Sequence, residues 1–350
     1  MSVVSSIEWT DTTWNPVRGC SRVSEGCRNC YAERQAARFS GSGQPFAGFA
    51  VRGRIAISTS NPENVGKKYT RWTGEVELIP SKLDEPLHWR KPRRVFVNSM
   101  SDLFHERLSD EAIAAVFGVM AACPQHTFQV LTKRPERMRR WFKWATGDSR
   151  IIGSAAYELG DGSAADVERQ CDRLRELSEC VASDLVWPLP NVWLGVSVED
   201  QASFDDRVLP LVSTPAAVRF ISYEPAIGPI DFSLPVAPMA TPLLRPTDPG
   251  NGIGCVHWLI VGGESGPEAR PCDLAWIRAA VKQGKEARAP VFVKQLGAWP
   301  FSETGDIWPT SVRFVEGSPS IGVKLRDRKG GDPSEWPEDL RVREFPEEGR

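Results

Sequence analysis

Six times along this chain a short run of β-branched or aromatic residues breaks off into a polar cluster. No other feature limits the fold as much. The runs are 94–97 (RVFV), 127–131 (TFQVL), 192–196 (VWLGV), 218–221 (VRFI), 257–261 (HWLIV) and 291–293 (VFV). Their endings are Asn98-Ser99-Met100-Ser101-Asp102, Thr132-Lys133-Arg134-Pro135, Ser197-Val198-Glu199-Asp200, Ser222-Tyr223-Glu224-Pro225, Gly262-Gly263-Glu264-Ser265 and Lys294-Gln295. Continuous apolar strands separated by helical stretches predict βαβ units and a parallel sheet covered on both faces. A helix over 109–122, with Ser109 as its N-cap, fits between the first two runs. A doubly wound sheet binds ligands only at its switch point, whereas a TIM-type barrel gathers them at the C-terminal mouth of every strand. Polar endings on all the runs therefore favour the barrel. With 7–10 (IEWT) counted as the first strand, the expectation is an α/β fold: a partial TIM-type (β/α)6-7 barrel with parallel strands.

Two stretches interrupt the rhythm. Residues 145–190 exceed what a βα connection needs and contain GDGS and a helical segment at 164–182, so they are expected to be an insertion. Residues 233–254 are rich in Pro and Gly and predict a long irregular loop. The barrel is thus assigned to 1–297, and 298–350, dense in Trp, Pro, Gly and charge, to a C-terminal extension. A chain of 350 residues easily supports one large core. The formal net charge of -2 excludes an obligate, sequence-blind nucleic-acid coat, which must neutralise many phosphates. The N-terminus has no basic region followed by an apolar core, and the apolar segment 112–125 falls short of the roughly 20 residues that span a bilayer. A cytoplasmic protein with no membrane contact is expected; the oligomeric state stays open.

Three cysteines crowd one loop, CSRVSEGCRNCY, as Cys20, Cys27 and Cys30. In a reducing compartment such a cluster points to metal or redox chemistry rather than disulfides. A structural zinc site needs a fourth ligand, for which His105 is the nearest candidate, whereas three thiolates on a [4Fe-4S] cluster leave one iron open. Gly19 and Gly26 precede two of the cysteines and let the backbone turn tightly. Cys123, Cys171, Cys180, Cys255 and Cys272 have no common spacing and are assigned structural roles. The loop resembles the cluster loop of radical S-adenosylmethionine (SAM) enzymes. Those usually show Cys-x3-Cys-x2-Cys, so the longer first gap is a departure, while Cys-x2-Cys followed by Tyr31 keeps the ending.

Among the strand-end groups, Asp102, Glu199, Glu224 and Glu264 are candidates for holding a cofactor amine or moving a proton. Buried carboxylates need partners. Lys133, Arg134 and Lys294 could supply them, or bind a carboxylate or phosphate. Salt bridges that merely close the barrel mouth are the equal alternative. After its strand, Gly262-Gly263-Glu264 would let the backbone approach a ligand while the carboxylate bonds an amine. Neither a dinucleotide fingerprint, a Walker loop nor a G-x-S-x-G elbow is present. The basic, Trp-bearing stretch 133–144 (KRPERMRRWFKW) is either a nucleic-acid contact or an amphipathic helix with a solvated basic face.

Taken together, IEWTDTTWNPVRGCSRVSEGCRNCYAE, RRVFVNSMSDLFHE, FQVLTKRPERM, NVWLGVSVED, RFISYEPAIGPI, WLIVGGESGPEARP and VFVKQLG resemble the phage Gp37/Gp68 (DUF5131, three-Cys-motif) family, a radical-SAM-like group. The resemblance implies that Cys20, Cys27 and Cys30 hold a [4Fe-4S] cluster. It also implies S-adenosyl-L-methionine as cofactor, cleaved reductively to a 5'-deoxyadenosyl radical, and an electron donor protein as partner. The Gly-Gly-Glu of the wider superfamily usually follows the second strand, whereas here Gly263 and Glu264 follow a late one. Asn98, Ser99 and Asp102 occupy the equivalent place. Ser197 and Glu199 are ribose contacts by position, and Glu224, Lys133 and Lys294 are the catalytic candidates. A nucleobase or nucleic acid is the expected substrate. The alternatives are a zinc- or cluster-stabilised nucleic-acid-binding protein without catalysis, and a metal-dependent barrel hydrolase built on Asp102, Glu199 or Glu224.

Overall fold

The computed structural model describes residues 5, 7–56, 65–145, 187–233, 255–302, 313–315 and 321–346. Seven strands form the main sheet: β1 (Thr12–Trp14), β2 (Arg94–Val97), β3 (Thr127–Thr132), β4 (Val192–Val198), β5 (Val218–Tyr223), β6 (Trp258–Gly262) and β7 (Val291–Gln295). They lie side by side in chain order, each parallel to the next. Reaching a parallel neighbour requires a crossover. Helices α1 (Tyr31–Arg38), α2 (Asp110–Ala121), α3 (Pro135–Ala145), α4 (Gln201–Val212) and α5 (Leu274–Glu286) punctuate the strands. The sheet curls into a half-barrel, the partial TIM-type architecture expected from the strand endings. Ser109 caps α2 through a bond from Ala112 N, 3.1 Å, as its sequence position predicted.

The first strand is displaced from its expected place. Residues 7–10 form a turn closed by Thr10 N to Ile7 O at 3.2 Å, and β1 is the TTW stretch that follows, with Thr12 opposite Val95. Threonine is polar in composition but β-branched in shape, and shape fits the pleat. Weak alternation alone pointed to the wrong four residues.

Side chains alternate across each strand with a period of two, and here the two phases carry different chemistry. Val95, Val97, Phe128, Val130, Leu194, Val196, Leu259 and Val261 pack in one core with the helical side chains. The opposite phase supplies Phe96, Trp193, Phe220, Trp258, Ile260 and Phe292, which with Trp9 form a second core inside the curl. Trp9 and Phe96 rings stand 4.7 Å apart, and Phe220 and Trp258 5.7 Å. Each such ring contributes roughly 1.5–3 kcal/mol by burial. Gly195 is required for room, since a Cβ there would lie 2.4 Å from the Phe220 ring. Continuing the inward phase by two or four residues gives Asn98, Ser197, Ser222, Glu224 and Lys294. A polar layer therefore rests on an aromatic floor.

Within 298–350, Pro300–Ser302, Arg313–Val315 and Ile321–Lys324 build a small sheet with Cys272–Asp273. Trp336 and Leu340 are buried in the core shared with the helices. Residues 341–346 then run beside β7: Arg343 bridges Phe292 antiparallel, and Val293 N bonds Val342 O at 2.8 Å. Phe345 packs on Trp258 and Phe292, and the Arg94 guanidinium lies 4.1 Å from its ring centre. The tail covers an edge that would otherwise template strand pairing with another chain. The expected helix at 164–182, with Cys171 and Cys180, and all but the first residue of the Pro-rich 233–254, lie outside the described residues. Among the described residues, no helix is long and apolar enough to cross a membrane.

Candidate active site

A cavity of about 280 Å³ opens at the C-terminal mouth of the strands. Cys20, Cys27 and Cys30 line it together with Asn98, Ser99, Lys133, Ser197, Ser222, Glu224, Glu264 and Lys294. Its size is near the lower end for small-molecule sites, about 300 Å³. All three thiols are free of disulfides. Burial pushes the Cys20 thiol up to about 12, with Asp102 adding to the shift and Arg134 opposing it. Cys30 is also raised, chiefly by burial.

The cysteine loop is held at three points, each by a different strand-end carboxylate. Asp102 acts through Arg134: the guanidinium lies 3.0 Å from Asp102 Oδ2 and donates to Ser21 O at 3.0 Å and Ser21 Oγ at 2.8 Å. The same guanidinium reaches 4.0 Å from Cys20 Sγ. Asp102 also accepts from Thr132 Oγ1, Phe104 N and Lys133 N. Glu199 accepts directly from Ser24 Oγ at 3.0 Å, and from Lys133 Nζ and Arg207 Nη1. Glu264 accepts from Asn29 Nδ2 at 3.1 Å and from the Arg270 backbone and guanidinium. Ionised carboxylates offer about four lone-pair positions, and each of these three accepts four hydrogen bonds, although on Glu199 and Glu264 three of the four fall on one oxygen. Burial raises the pKa of Glu199 and of Glu264, but their cationic and hydrogen-bonding partners outweigh it, and both stand below the usual carboxylate range.

Neither loop glycine leaves room for a side chain, a Cβ at Gly19 falling 2.0 Å from Glu75 O, and Gly19 has a second need. Gly19 has φ +86°, a left-handed conformation that favours glycine. Gly26 is chosen for contact: a Cβ would lie 2.1 Å from Glu199 Oε1. The loop rests on the carboxylate there.

Glu224 is placed differently. Ser222 Oγ donates to its Oε2 at 3.1 Å, and Lys294 Nζ lies 3.0 Å from Oε1 without the alignment of a hydrogen bond. Asn98 adds a second reactive feature. It is buried at φ 60°, a conformation asparagine tolerates better than most residues. Its Oδ1 accepts from Val17 N at 3.3 Å, which orients the amide, while Nδ2 has no hydrogen-bond partner among the described residues. Buried donors without acceptors are rare and call for an explanation. This one lines the cavity. An N–H donor suits a carboxylate or hydroxyl, not an ammonium group. Lys133 spans Glu199 and Ser197 Oγ, Ser99 O accepts from the Tyr31 hydroxyl at 2.6 Å, and Gly263 lines the cavity beside Gln295, whose Nε2 donates to Gly263 O at 2.8 Å.

His105 is engaged elsewhere: Nδ1 accepts from Arg107 N at 3.2 Å, and Nε2 lies 2.8 Å from Ser21 Oγ. Both ring nitrogens are taken, so it props the loop rather than presenting a free metal ligand. Among the described residues, no three His, Cys, Asp or Glu side chains converge on a single metal-ion position. The stretch 133–144 turns its Trp141 and Phe142 into the core and packs the half-buried Trp144 against it, with Arg140 and Lys143 exposed on the outer face. Ser24, Asn29, Arg207 and Arg270 were missed from sequence. Only Arg207 carried a signal, as a cation on the inner face of an otherwise ordinary helix.

A family model described as a protein of unknown function (DUF5131) matches residues 4–331, nearly the whole chain. No curated protein and no solved structure was found to match it.

Proposed function

We propose that this chain, which belongs to the DUF5131 family, is an iron–sulfur enzyme of the radical SAM type. Cys20, Cys27 and Cys30 would be the thiolate ligands of a [4Fe-4S] cluster, and S-adenosylmethionine would share their cavity. One observation carries this reading: three disulfide-free thiols line the same cavity as the polar layer of the barrel. The donor set fits, because three thiolates complete three corners of such a cluster and leave the fourth for a cofactor. When bound, the cluster and SAM supply one-electron cleavage to methionine and a 5'-deoxyadenosyl radical that takes hydrogen from a substrate.

The chain's own residues then have separable tasks. Asn98 Nδ2 would donate to the carboxylate or a hydroxyl of the bound cofactor, satisfying an otherwise stranded group. Ser197, whose hydroxyl bonds Glu224 O at 3.0 Å and Lys133 Nζ, stands beside them as a hydroxyl contact. Glu224 and Lys294 form the cavity pair able to hold or pass a proton. The aromatic floor keeps water from entering through the barrel. An electron donor protein completes the scheme.

Anaerobic purification tests the proposal. The expected protein is brown, carries about four irons per chain, loses both with Cys27→Ala, and releases 5'-deoxyadenosine on addition of dithionite and SAM. A colourless protein holding stoichiometric zinc after anaerobic iron and sulfide reconstitution would overturn it.

A further inference from the structure

Beside the cavity, and sharing Asn29 with it, lies a wider groove of about 780 Å³. Its lining includes Arg22, Arg28, Arg34, Lys68, Tyr69 and Arg71. In a chain of net charge -2, five cations around one groove form a local concentration that composition hides. Two are answered already: Arg22 by Glu33 at 2.5 Å, and Arg28 by Glu25 at a loose 3.7 Å. Arg34, Lys68 and Arg71 have no ion pair with the described residues, and Glu268 is the carboxylate facing them across the groove. Such a surface calls for an anion with several charges.

The wall carrying these groups is anchored. Ala50–Arg54 and Lys68–Trp72 form an antiparallel hairpin, and its Ala50 and Trp72 are buried against Ala32, Ala36 and Ala37 of α1. The buried Glu33 carboxylate accepts from Trp72 N at 3.2 Å and Thr70 Oγ1 at 3.0 Å, besides Arg22. One carboxylate thus ties hairpin, helix and cysteine loop together. The groove's position relative to the cavity is built into the fold.

We infer that this groove holds the phosphate backbone of a single-stranded nucleic acid and presents one base to the neighbouring cavity. Arg34 on α1 and Lys68 and Arg71 on the hairpin line one groove as cations for successive phosphates. Tyr69, 42% exposed, adds a ring face on which a base can stack. The groove meets the cavity at Asn29, so an unstacked base carried on the strand can reach the cavity mouth, whereas a base held in a duplex cannot. The inference deepens the enzymatic reading by naming the substrate class, and rests on it only for what happens to the base. Binding itself needs no cluster.

Fluorescence anisotropy of the full chain with labelled DNA and RNA strands of about 12 nucleotides tests it. The combined Arg34→Ala, Lys68→Ala, Arg71→Ala variant should lose at least about tenfold in affinity, with the logarithmic salt slope flattened by about 2, near 0.7 for each lost phosphate contact. Tyr69→Ala should lose about fivefold. Arg140→Ala with Lys143→Ala, on the outer face of α3, should bind as the parent does. Should the triple variant melt early, Arg34→Gln alone takes its place with the same readout. Parent-like binding by the groove variants would overturn the inference, as would equal affinity for duplex or for phosphatidylserine vesicles. Iron content on the same preparations separates the two ideas: groove variants keep their iron, while Cys27→Ala loses iron and keeps the strand. Strand binding that follows the iron would sink the groove.

Discussion

Asp102, Glu199 and Glu264 each accept four hydrogen bonds, whereas the Glu224 carboxylate, one strand beyond Glu199, has one hydroxyl and one nearby ammonium. All four end inward-curving strands of one half-barrel. The difference lies in what each reaches. The first three hold the cysteine loop at Ser21, Ser24 and Asn29, Asp102 doing so through Arg134, and a carboxylate that accepts four hydrogen bonds has less left for a ligand than one that accepts a single bond. Glu224 touches no part of that loop in the hydrogen-bond network. Loop anchoring and chemistry are divided among residues that look alike in sequence. Strongly shifted pKa values usually mark functional sites, but structural ion pairs shift them too. Here the shifted Glu199 and Glu264 are the anchors.

Removing an anchor should cost most. Glu199→Ala leaves Arg207, 4% exposed, and Lys133 without their carboxylate, and urea unfolding should show a loss of about 3–5 kcal/mol. The effect has a pH signature. Because the folded pKa of Glu199 is depressed, its stabilisation is fully present above the unfolded value of about 4.3 and is lost as pH falls through the folded value. The stability gap between the parent and Glu199→Gln should therefore be wide at neutral pH and narrow in acid. An unchanged gap at both would mean that the carboxylate is not the anchor.

Gly26→Ala comes next. The added methyl meets Glu199 at 2.1 Å, so melting should report about 1–3 kcal/mol of overpacking, together with weaker iron retention. If Gly26→Ala keeps both, the loop does not depend on that contact. Glu224→Gln inverts the pattern: stability should change by less than about 1 kcal/mol, while substrate turnover falls about 10²–10⁴-fold. A Glu224→Gln variant that loses several kcal/mol of stability yet turns over normally would erase the contrast. Smallest in function is Asn98→Gly, which keeps the φ of 60° and deletes the stranded amide, while the loss of the acceptor for the buried Val17 N should cost about 1–3 kcal/mol on melting. Equilibrium dialysis should show SAM binding weakened about tenfold, the value of one hydrogen bond to a charged group.

Much of this was legible beforehand. Parallel order followed from apolar runs punctuated by helices, and the mouth of the barrel from their polar endings. Ser109 announced its helix. Where sequence failed, the cause was local: Thr12 and Thr13 form a strand by shape, while 7–10 (IEWT), read as one from its weak alternation, is a turn; the basic stretch 133–144, by contrast, is the amphipathic helix that its period offered, with Met138, Trp141 and Phe142 on one face. Residues 41–75 carried no pattern strong enough to interpret, yet they include the hairpin beside the basic groove. Its signal was cations next to an aromatic, in KYTRW, and such short strings arise by chance too often to act on.

Period and composition along the chain determined a parallel curl of six or seven strands and the crowding of three thiols, because each of these depends on neighbours only a few residues apart. Which carboxylate anchors the loop and which stands free was decided only in three dimensions. Ser24 meets Glu199 across 175 positions, and Asn29 meets Glu264 across 235. A hydrogen bond depends on distance in space, and no local pattern records which distant donor will arrive.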